Sequence, residues 1–374
     1  MFNTNLELYI QKLKLTNFRN YLNTTLEISQ QSVILLGDNG VGKTNVLESI
    51  SLLSKGSGFR NVRIEDMQNY NTNNPLSIHY TINKNNDLFS INITKHNNKR
   101  RLLIDNKTQN YSAIHGIACI IWLIPQLDHI FLKSSSERLK FFDRIVHIFD
   151  VNYASYITQY EKARRERSKI LHISPQDYNW LLSLENIIAI NGINIAKIRL
   201  KVLKILQKIL AENKISSTFL KSSISIHSQI FEILDQGFEN AIELYKERLK
   251  ENRKKDLLQN CVSFGVHNDN FQVLHSEKNL IANHCSTGEQ KILLLSLILS
   301  AVIAKHEIYS QPSIILLDDI MSHLDKNYKS NLLLSILDIG CQVWITDISI
   351  QNFVDYKKYF QYFYISNNTI KNYI

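Results

Sequence analysis

Residues 37–44 read GDNGVGKT, and this segment constrains the fold more strongly than any other part of the chain. It matches the pattern GxxxxGK[ST], which binds phosphate when a buried strand precedes it and a helix follows it. The apolar run VILLG at 33–37 predicts that strand, and apolar residues at 46–53 recur at helical spacing, with Gly56 expected to close the helix. The segment therefore predicts an α/β fold with a phosphate site between a strand and a helix.

Each residue type in this loop has a defined role in holding phosphate groups. Glycine lacks a Cβ, so backbone N–H groups of the loop can approach phosphate oxygens closely. Lys43 is expected to contact the β- and γ-phosphates and to assist catalysis, and the Thr44 hydroxyl is expected to bind Mg²⁺. We therefore predict ATP and Mg²⁺ as cofactors. The predicted nucleotide-binding residues of the loop are Gly37, Asp38, Asn39, Gly40, Val41, Gly42, Lys43 and Thr44.

A second candidate segment is SIILLDDIMSHLD at 313–325, an apolar strand that ends in two acids. Asp318, at the carboxyl end of the strand, suits the carboxylate beside Mg²⁺ in a nucleotide site, and Asp319 suits the catalytic group that orients or deprotonates the attacking water. Acids at this place also cap the next helix, and taken alone that interpretation is the simpler one. The phosphate loop upstream favours the Mg²⁺ site.

The third segment is CSTGEQK at 285–291, a polar turn that opens an apolar helix. Ser286 is a candidate N-cap, Gly288 leaves the backbone open, and the N-terminus of the helix favours an anion. These residues alone are equally typical of a capped core helix. The apolar run Ile292–Ala304 that follows is shorter than the roughly 20 residues that span a membrane, so it predicts a buried helix and no membrane association.

Strand and helix patterns alternate in blocks along the chain. We predict strands within 6–37, edge hairpins within 70–110, a buried strand at 118–125, mostly amphipathic helix up to residue 258, and strands at 261–266, 313–318 and 341–346. This order predicts an α/β domain formed by residues 1–118 and 261–374. A mostly helical arm, residues 119–260, is inserted between its two parts.

Composition adds weaker constraints on the partners and the compartment. The net charge is +9, which favours anionic partners such as DNA, although Lys, Ile and Asn all have AT-rich codons and part of the excess can reflect base composition. The four cysteines form no CxxC pair, so neither zinc nor a disulfide framework is indicated. The first residues lack the pattern of a signal peptide. We expect a cytoplasmic protein.

A basic helix at 160–171, YEKARRERSKIL, is the candidate DNA-binding surface. We assign DNA contacts to Arg164, Arg165 and Arg167. A charge run of this kind is as often a solvated helix face. No base-reading motif accompanies it, so the expected contacts are with backbone phosphates.

The order of these segments resembles the ABC-type ATPases of DNA maintenance, and within them the RecF family. Besides the segments above, LTNFRNYLNTTLEI at 15–28 resembles the opening of that family. The resemblance implies an ABC-type ATPase head with a mixed sheet and phosphate loop, split by the helical insertion. It places Arg19 and Asn20 near the nucleotide and assigns switch functions to His323, Asp325 and Thr346. The turn residues Ser286, Thr287, Gly288, Glu289 and Gln290 become a signature that acts in trans, on the nucleotide of a second protomer.

The resemblance also implies an activity. It predicts an ATP-dependent DNA-binding protein of recombinational repair and replication, in which an ATP-induced homodimer clamps DNA and helps to load recombinase at gaps. A weak, DNA-stimulated and Mg²⁺-dependent ATP hydrolysis would reset it, and RecR and RecO would be partners. Two alternatives stay open: another ABC-type cassette, such as a transporter nucleotide domain or a short SMC-like protein, and an ATP-binding module with little turnover.

Three residues depart from the pattern of that family. Asn268 stands where the family commonly has Arg, and Asn270 stands where it has an acid. An Asn side chain cannot replace the bidentate guanidinium of Arg. Asp347 follows Thr346 and places an additional acid near the expected position of the γ-phosphate. These departures bring the coupling of ATP to DNA into question.

Overall fold

The computed structural model describes residues 6–54, 56–96, 99–212, 215, 219–322 and 324–373. The chain divides into two compact units. The first consists of Met1–Asp128, Lys214–Phe219 and Leu294–Ile374, and the second consists of His129–Asn213 and Leu220–Leu293.

The regular elements follow one another as below. The strands are β1 (Leu8–Phe18), β2 (Tyr21–Glu27), β3 (Ser32–Leu36), β4 (Ser77–Lys84), β5 (Asp87–His96), β6 (Lys99–Ile104), β7 (Lys107–Gln109), β8 (Cys119–Leu123), β9 (Ser222–His227), β10 (Asn270–His275), β11 (Leu280–Ile281), β12 (Ser313–Leu317), β13 (Gln342–Asp347), β14 (Phe360–Ser366) and β15 (Thr369–Asn372). The α-helices are α1 (Lys43–Ser51), α2 (Ser135–Phe149), α3 (Tyr153–Ile173), α4 (Tyr178–Ala211), α5 (Phe231–Leu234), α6 (Phe238–Glu251), α7 (Arg253–Gln259), α8 (Thr287–Tyr309) and α9 (Lys326–Ile339).

The sheet that carries the phosphate loop has the order β15-β14-β3-β13-β12-β8. Its strands pair in parallel from β14 to β8, and only β15 joins in antiparallel fashion. All residues of β3, β8 and β12 are buried, as expected for parallel strands, whose faces are covered on both sides. The sheet is mixed, as predicted, and it carries the phosphate loop. The strand predictions at 33–37, 313–318 and 341–346 match β3, β12 and β13.

A second sheet of the first unit is antiparallel, with the order β2-β1-β4-β5-β6-β7. Its strands alternate between the core and the opposite face: in β4, Ile78, Tyr80 and Ile82 are buried, while the residues between them are partly exposed. Burying each such apolar side chain contributes about 1.5–3 kcal/mol. The hairpins predicted within 70–110 are therefore present. They extend a sheet begun by β1 and β2.

The second unit is mostly helical and includes α2 to α7. It also contains a small antiparallel sheet of order β11-β10-β9. Strand β9 interrupts a segment for which helix was predicted. The strand predicted at 261–266 is wrong, because these residues form loop and the start of a 3-10 turn, and pairing with β9 begins at Asn270. The apolar residues of that loop are still buried, which is why the sequence resembled a strand: Val262 and Val266 are both buried.

The boundaries between the two units differ from the predicted ones. Residues 119–123 form β8, which pairs with β12 in the sheet of the phosphate loop. They belong to the first unit, which continues to Asp128, and not to the helical arm. Residues 261–293 belong to the second unit, because β10 and β11 pair with β9.

Two helices, Tyr178–Ala211 and Thr287–Tyr309, are long and apolar enough to cross a membrane by length and composition. In their most apolar windows, 56% and 78% of the residues are buried within the protein. A core helix of a soluble protein passes the same test, so these helices are weak evidence for a membrane span.

Candidate nucleotide site and its surroundings

The phosphate loop and the carboxyl ends of the parallel strands enclose a cavity of about 240 Å³ in the first unit. Its lining consists of Asn39, Gly40, Gly42, Lys43, Thr44, Asn45, Arg60, Pro125, Asp318, Asp319, Thr346, Asp347 and Ile348. The structure thus brings together the loop, both predicted acids and Thr346. Binding at the carboxyl ends of strands is the usual location for ligands in open α/β sheets.

At two glycines of the loop, an added Cβ would clash with neighbouring atoms. Gly37 has φ +145, and a Cβ there would lie 2.4 Å from the carbonyl oxygen of Ile365. Gly42, at the start of α1, has φ +112, and its Cβ would meet the Asn20 side chain at 2.5 Å. The loop conformation therefore requires glycine at both positions. Helix α1 itself ends at Ser51, so Gly56 does not close it.

Lys43 folds back over the loop that precedes it. Its ammonium group donates to the carbonyl oxygens of Gly37, at 2.6 Å, and Asp38, at 2.8 Å. Burial lowers the pKa of Lys43, while the charges of Asp318, Asp319, Asp347 and Asp38 act in the opposite direction. The ammonium group of Lys43 therefore lies beside the phosphate loop, and two backbone carbonyls of that loop accept its hydrogen bonds.

Asp318 is the centre of the acidic cluster. It is only 8% exposed, and its carboxylate accepts hydrogen bonds from the hydroxyls of Thr44, at 3.0 Å, and Thr346, at 2.8 Å. Burial raises the pKa of Asp318, and the two hydroxyls and the charge of Arg60 oppose that rise. A buried carboxylate with a raised pKa is one that a nearby cation would stabilise.

The residues present fit Mg²⁺. Thr44 and Asp318, the two predicted Mg²⁺ ligands, place hard oxygen atoms next to each other beside the loop of residues 37–44. The described part of the chain contains no group of three or more His, Cys, Asp or Glu that could hold a metal by itself. Mg²⁺ commonly binds through one or two protein oxygens together with substrate phosphates, so this donor set is of the appropriate kind.

Asp319 also lines this cavity. Its backbone N–H donates to the Thr346 hydroxyl at 2.8 Å, and its φ of 48° is left-handed. Asp and Asn adopt this conformation more readily than most residues. Asp319 is exposed, so its carboxylate can contact water. The single Thr346 hydroxyl therefore fixes both acids.

Asp347 also lines the cavity, but its carboxylate is already engaged. It accepts from the backbone N–H groups of Ile348, at 2.6 Å, and Ser349, at 3.1 Å, and from the Asn352 amide at 2.9 Å. These bonds hold the loop after β13. Asp347 nevertheless keeps a negative charge close to Lys43 and the phosphate cradle.

Arg19 and Asn20 were expected near the nucleotide. Neither is among the residues that line the cavity, and both contact the elements around it. Arg19 donates two bonds to the buried Glu48, at 2.9 and 2.6 Å. Asn20 donates to the Val41 carbonyl at 3.2 Å and to the Asn368 side chain at 2.8 Å. Arg19 thus contacts α1, and Asn20 contacts the loop; their predicted proximity to the nucleotide stays a prediction.

Arg60 is a residue that the sequence did not assign to the site. It lines the cavity and donates to Asn45, at 2.8 Å, and Glu48, at 3.0 Å. Glu48 is buried and pairs with Arg19 and Arg60 together. A pattern search could have marked Arg60 only as a basic residue following the helix of the phosphate loop.

The signature segment lies in the second unit and forms a capping box at the start of α8. The Ser286 hydroxyl and backbone N–H both contact the Glu289 carboxylate, at 3.0 and 2.9 Å. Lys278 pairs with Glu289 at 2.5 Å, and this contact together with the bonds from Ser286 lowers the pKa of Glu289 to about 2. Gln290 donates to the Cys285 carbonyl at 2.9 Å. A Cβ on Gly288 would meet nothing within 4 Å, so the turn presents an open backbone.

Of the three predicted switch residues, the structure describes two, Asp325 and Thr346. Asp325 caps α9, where its carboxylate accepts from the Tyr328 N–H at 2.9 Å. This is the helix-capping alternative considered for the acids of the segment. Thr346 bonds to Asp318 as described. His323 is not among the residues that the structure describes.

The three predicted DNA-binding arginines have different environments in α3. Arg167 is fully buried and pairs with Glu185, at 3.0 Å, and Asp256, at 2.6 Å. This corrects the prediction, because a guanidinium inside the helical unit is not accessible to a duplex. Arg164 is partly buried and pairs with Glu161 at 2.7 Å, whereas Arg165 is exposed.

The residues that depart from the family pattern take part in local structure. Asn268 donates to the Ser263 carbonyl at 2.9 Å, and Asn270 accepts from Arg138 at 2.8 Å. The acid between them, Asp269, is buried against Arg199 at 2.7 Å. The amides thus stabilise the loop before β10.

Fold and site together define the head of an ABC-type ATPase, and comparison with known proteins places it more narrowly. A family model described as RecF/RecN/SMC N terminal domain matches residues 9–371. The chain belongs to the RecF family within this group. It is 34% identical over 341 residues to the DNA replication and repair protein RecF of Rickettsia bellii (strain OSU 85-389), covering 91% of this chain and 94% of the relative. The RecF protein of Rickettsia akari (strain Hartford) is 34% identical over 351 residues, covering 92% and 95%.

Solved structures agree on the fold. The recombination mediator protein RecF of the RecFOR pathway, solved as RecF-ATPrS, matches with a TM-score of 0.86 and 23% identity over the full length of both chains. The Smc head domain with an extended coiled coil from Pyrococcus furiosus, bound to the C-terminal domain of ScpA, matches with a TM-score of 0.54 and 14% identity, covering 97% and 95%. The predicted fold class is confirmed.

Proposed function

We propose that this chain is an ATP-dependent DNA-binding protein of DNA replication and recombinational repair. One observation carries the proposal: Thr44 of the phosphate loop and Thr346 of the neighbouring strand both bond to Asp318 beside a cavity that contains Lys43. That cavity matches the chemistry of a nucleoside triphosphate with its metal ion. Membership of the RecF family supports the choice of process.

In the proposed site, the loop backbone and Lys43 bind the phosphate chain. Thr44 and Asp318 would hold Mg²⁺, which neutralises charge on the phosphate oxygens when it is bound. Lys43 gains phosphate oxygens in place of, or in addition to, the carbonyls of Gly37 and Asp38. Binding a polyanion offsets the burial that lowers the pKa of this lysine.

Asp319 is the proposed catalytic base. Asp319 is exposed and lines the cavity, and its backbone N–H is fixed by the Thr346 hydroxyl. It would hold the attacking water and accept its proton. Because the same hydroxyl also bonds to Asp318, displacement of one acid affects the other.

The signature residues Ser286 to Gln290 would act on the nucleotide of a second protomer, so that ATP induces a homodimer. The open backbone at Gly288 and the N-terminus of α8 suit contact with an anion. The capping box holds Ser286 in place before any partner arrives. Dimerisation would then depend on bound triphosphate.

The proposed DNA surface is a stripe on the exposed side of α3 that replaces the predicted set. Lys162, Arg165 and Lys169 are all exposed and recur at i, i+3 and i+7, which places them on one helix face. Such a stripe suits backbone phosphates, with salt-dependent affinity and no base readout. Closure of the dimer would clamp DNA, and slow hydrolysis would release it.

The remaining parts of the proposal rest on family membership. They are the loading of recombinase at gaps, RecR and RecO as partners, and a cytoplasmic location. The relatives' description as DNA replication and repair proteins, and the RecFOR pathway named for the solved RecF structures, support them.

An ATP-binding protein with little turnover is a second candidate. Asp347 favours it, because an acid in the cavity repels the γ-phosphate and competes for Lys43. The experiment that separates the two is ATP hydrolysis with and without duplex DNA. Stimulation by DNA supports the first candidate. ATP binding without hydrolysis in either condition supports the second, and failure to bind DNA at low salt contradicts the first.

A further inference from the structure

Asparagine side chains from distant parts of the first unit are hydrogen-bonded in series beside the phosphate loop. Asn20 belongs to the turn between β1 and β2, Asn45 to α1, and Asn368 to the turn between β14 and β15. Asn45 donates to Asn20 at 2.7 Å, and Asn20 donates to Asn368 at 2.8 Å. We call Asn20, Asn45 and Asn368 the asparagine network.

The asparagine network begins at the nucleotide cavity and leads away from it. Arg60 donates to the side-chain oxygen of Asn45 at 2.8 Å, and both residues line the cavity. Asn20 and Asn368 are not among the described residues of that lining. All the bonds point from the guanidinium of Arg60 toward Asn368, and hydrogen bonds that share one direction strengthen one another. Asn368 is therefore the last acceptor of a cooperative series.

Asn20 also connects the network to the backbone of the phosphate loop. Its amide donates to the carbonyl oxygen of Val41 at 3.2 Å, and the hydroxyl of the next residue, Tyr21, donates to the carbonyl oxygen of Gly42 at 3.1 Å. The N–H groups of such a loop bind phosphate, and a carbonyl oxygen turned toward the anion would repel it. Asn20 and Tyr21 thus fix two carbonyls that the loop has to keep out of the phosphate site.

These two bonds differ from those that Lys43 makes to the same loop. Lys43 lines the cavity, so a bound phosphate competes with the carbonyls of Gly37 and Asp38 for its ammonium group. Asn20 and Tyr21 are not among the described residues that line the cavity. Their bonds can therefore persist when a nucleotide enters, and they define the loop conformation before and after binding.

Asn368 supplies a fixed acceptor for Asn20. The turn that contains it has two residues, Asn367 and Asn368, between the paired residues Ser366 and Thr369. Both turn residues have positive φ, 46° and 58°, as in the type I′ turns that match the twist of a hairpin. Because this turn has a defined geometry, the Asn368 oxygen has a defined position, and it restricts the side chain of Asn20 to one orientation.

We propose that Asn368 is a positioning residue for the nucleotide site and that it acts through Asn20. The proposal rests on the proposed function, since it concerns the same site. A loop that is held ready for phosphate binds a nucleotide more tightly, because less ordering remains to be done on binding. The asparagine network does not contact Asp318 or Asp319 through any described hydrogen bond, so we expect an effect on affinity and not on the rate of hydrolysis.

The substitution Asn368→Gly in the full-length chain tests the proposal. Asn-Gly is a preferred pair in type I′ turns, so the turn is kept while the acceptor for Asn20 is lost. Asn367→Gly makes the same change one residue earlier and leaves the acceptor in place. We expect Asn368→Gly to weaken binding of Mg²⁺ and N-methylanthraniloyl-ADP, a fluorescent diphosphate, by about three-fold or more. The affinity of Asn367→Gly should stay within about two-fold of the wild type.

Two further measurements separate positioning from a general loss of structure. In an Asn20→Ala background, Asn368→Gly should have no additional effect on the affinity, because the residue through which it acts is absent. In steady-state hydrolysis of ATP, Asn368→Gly should raise KM and leave kcat unchanged, as expected when binding alone is weakened. Urea denaturation of the nucleotide-free protein should give the same midpoint for both glycine variants.

The outcomes distinguish this proposal from the proposed function. If the wild-type protein does not bind the fluorescent diphosphate, the proposed function fails, and the positioning role fails with it. If the wild type binds and Asn368→Gly binds equally well, only the positioning role is overturned. The same conclusion follows if Asn367→Gly causes an equal loss, if the effect persists without Asn20, or if kcat falls while KM is unchanged.

Discussion

The hydroxyl of Thr44 lies 3.0 Å from a carboxylate oxygen of Asp318, although the two residues are 274 positions apart in the chain. Thr346 bonds to the same oxygen at 2.8 Å. Three segments that are distant in sequence therefore meet at one buried carboxylate. This contact is the structural basis of the proposed Mg²⁺-ATP site.

Substitution Asp318→Asn tests that contact. The amide keeps the shape of the side chain but loses the charge that attracts Mg²⁺. We expect affinity for a fluorescent ATP analogue to fall by about ten-fold or more with Mg²⁺ and to change little in EDTA. Asp355→Asn is the control for loss of one charge. An equal loss with and without Mg²⁺ would show that Asp318 supports the fold and not the metal.

Asp319→Asn tests the catalytic assignment. Residue 319 has φ 48°, and Asn tolerates this conformation as Asp does, so the backbone should be preserved. Loss of a general base typically costs about 10²–10⁴ in rate. We expect hydrolysis to fall by about 100-fold or more while ATP affinity is kept. Unchanged turnover, measured by phosphate release, would remove Asp319 from the catalytic role.

The α3 stripe is tested by replacing Lys162, Arg165 and Lys169 with Gln. Each lost phosphate contact reduces the slope of log affinity against log salt by about 0.9, so we expect a slope smaller by about two to three. Fluorescence anisotropy with a labelled duplex measures it. The comparator replaces Lys201, Lys204 and Lys208 of α4, which are also exposed. If both triple variants lose the same slope, α3 has no special role in DNA binding.

His267 predicts a pH dependence of stability. Its Nδ1 accepts from the Tyr160 hydroxyl and its Nε2 donates to the Val262 carbonyl, both at 2.7 Å. Burial, aided by the charges of Arg164 and Arg199, lowers the pKa of His267 from 6.5 to about 4. Between these values the unfolded chain binds a proton that the folded chain does not, so the free energy of unfolding decreases as the pH falls through this window.

We expect this contribution to approach about 1.4 kcal/mol per pH unit within the window. The measurement is urea denaturation of the full chain at several pH values from 7 to 4.5. His267→Gln should flatten the dependence relative to the wild type, and the exposed His227→Gln should not. Parallel curves for wild type and His267→Gln would show that His267 is not held neutral by the fold.

The sequence was informative where the signals are local. The phosphate loop, its strand and its helix lie within about 20 consecutive residues, and glycine, lysine and threonine each have a position-specific role there. The acids at 318 and 319 could be assigned because a fully buried strand leads directly to them. The same is true of Ser286, since a capping residue needs only the helix that follows it.

Long-range pairing was not predictable from these patterns. Arg167 resembled its exposed neighbours because its partners Glu185 and Asp256 are 18 and 89 residues away. Strand β9 was missed because alternating serines and isoleucines sit in a largely helical region. Arg60 is held at the site by its bonds to Asn45 and Glu48. These bonds form because of the path of the chain after α1, which the sequence patterns did not predict.

Sedimentation velocity of the full chain is the most direct measurement of the central claim. With Mg²⁺-ATP we predict a dimer that also binds duplex DNA, and with ADP a monomer. Ser286→Arg should bind ATP as the wild type does but remain monomeric, whereas Ser286→Ala, which loses only a cap of about 1 kcal/mol, should still dimerise. A wild-type protein that stays monomeric with ATP bound, or a Ser286→Arg variant that dimerises, would contradict the account.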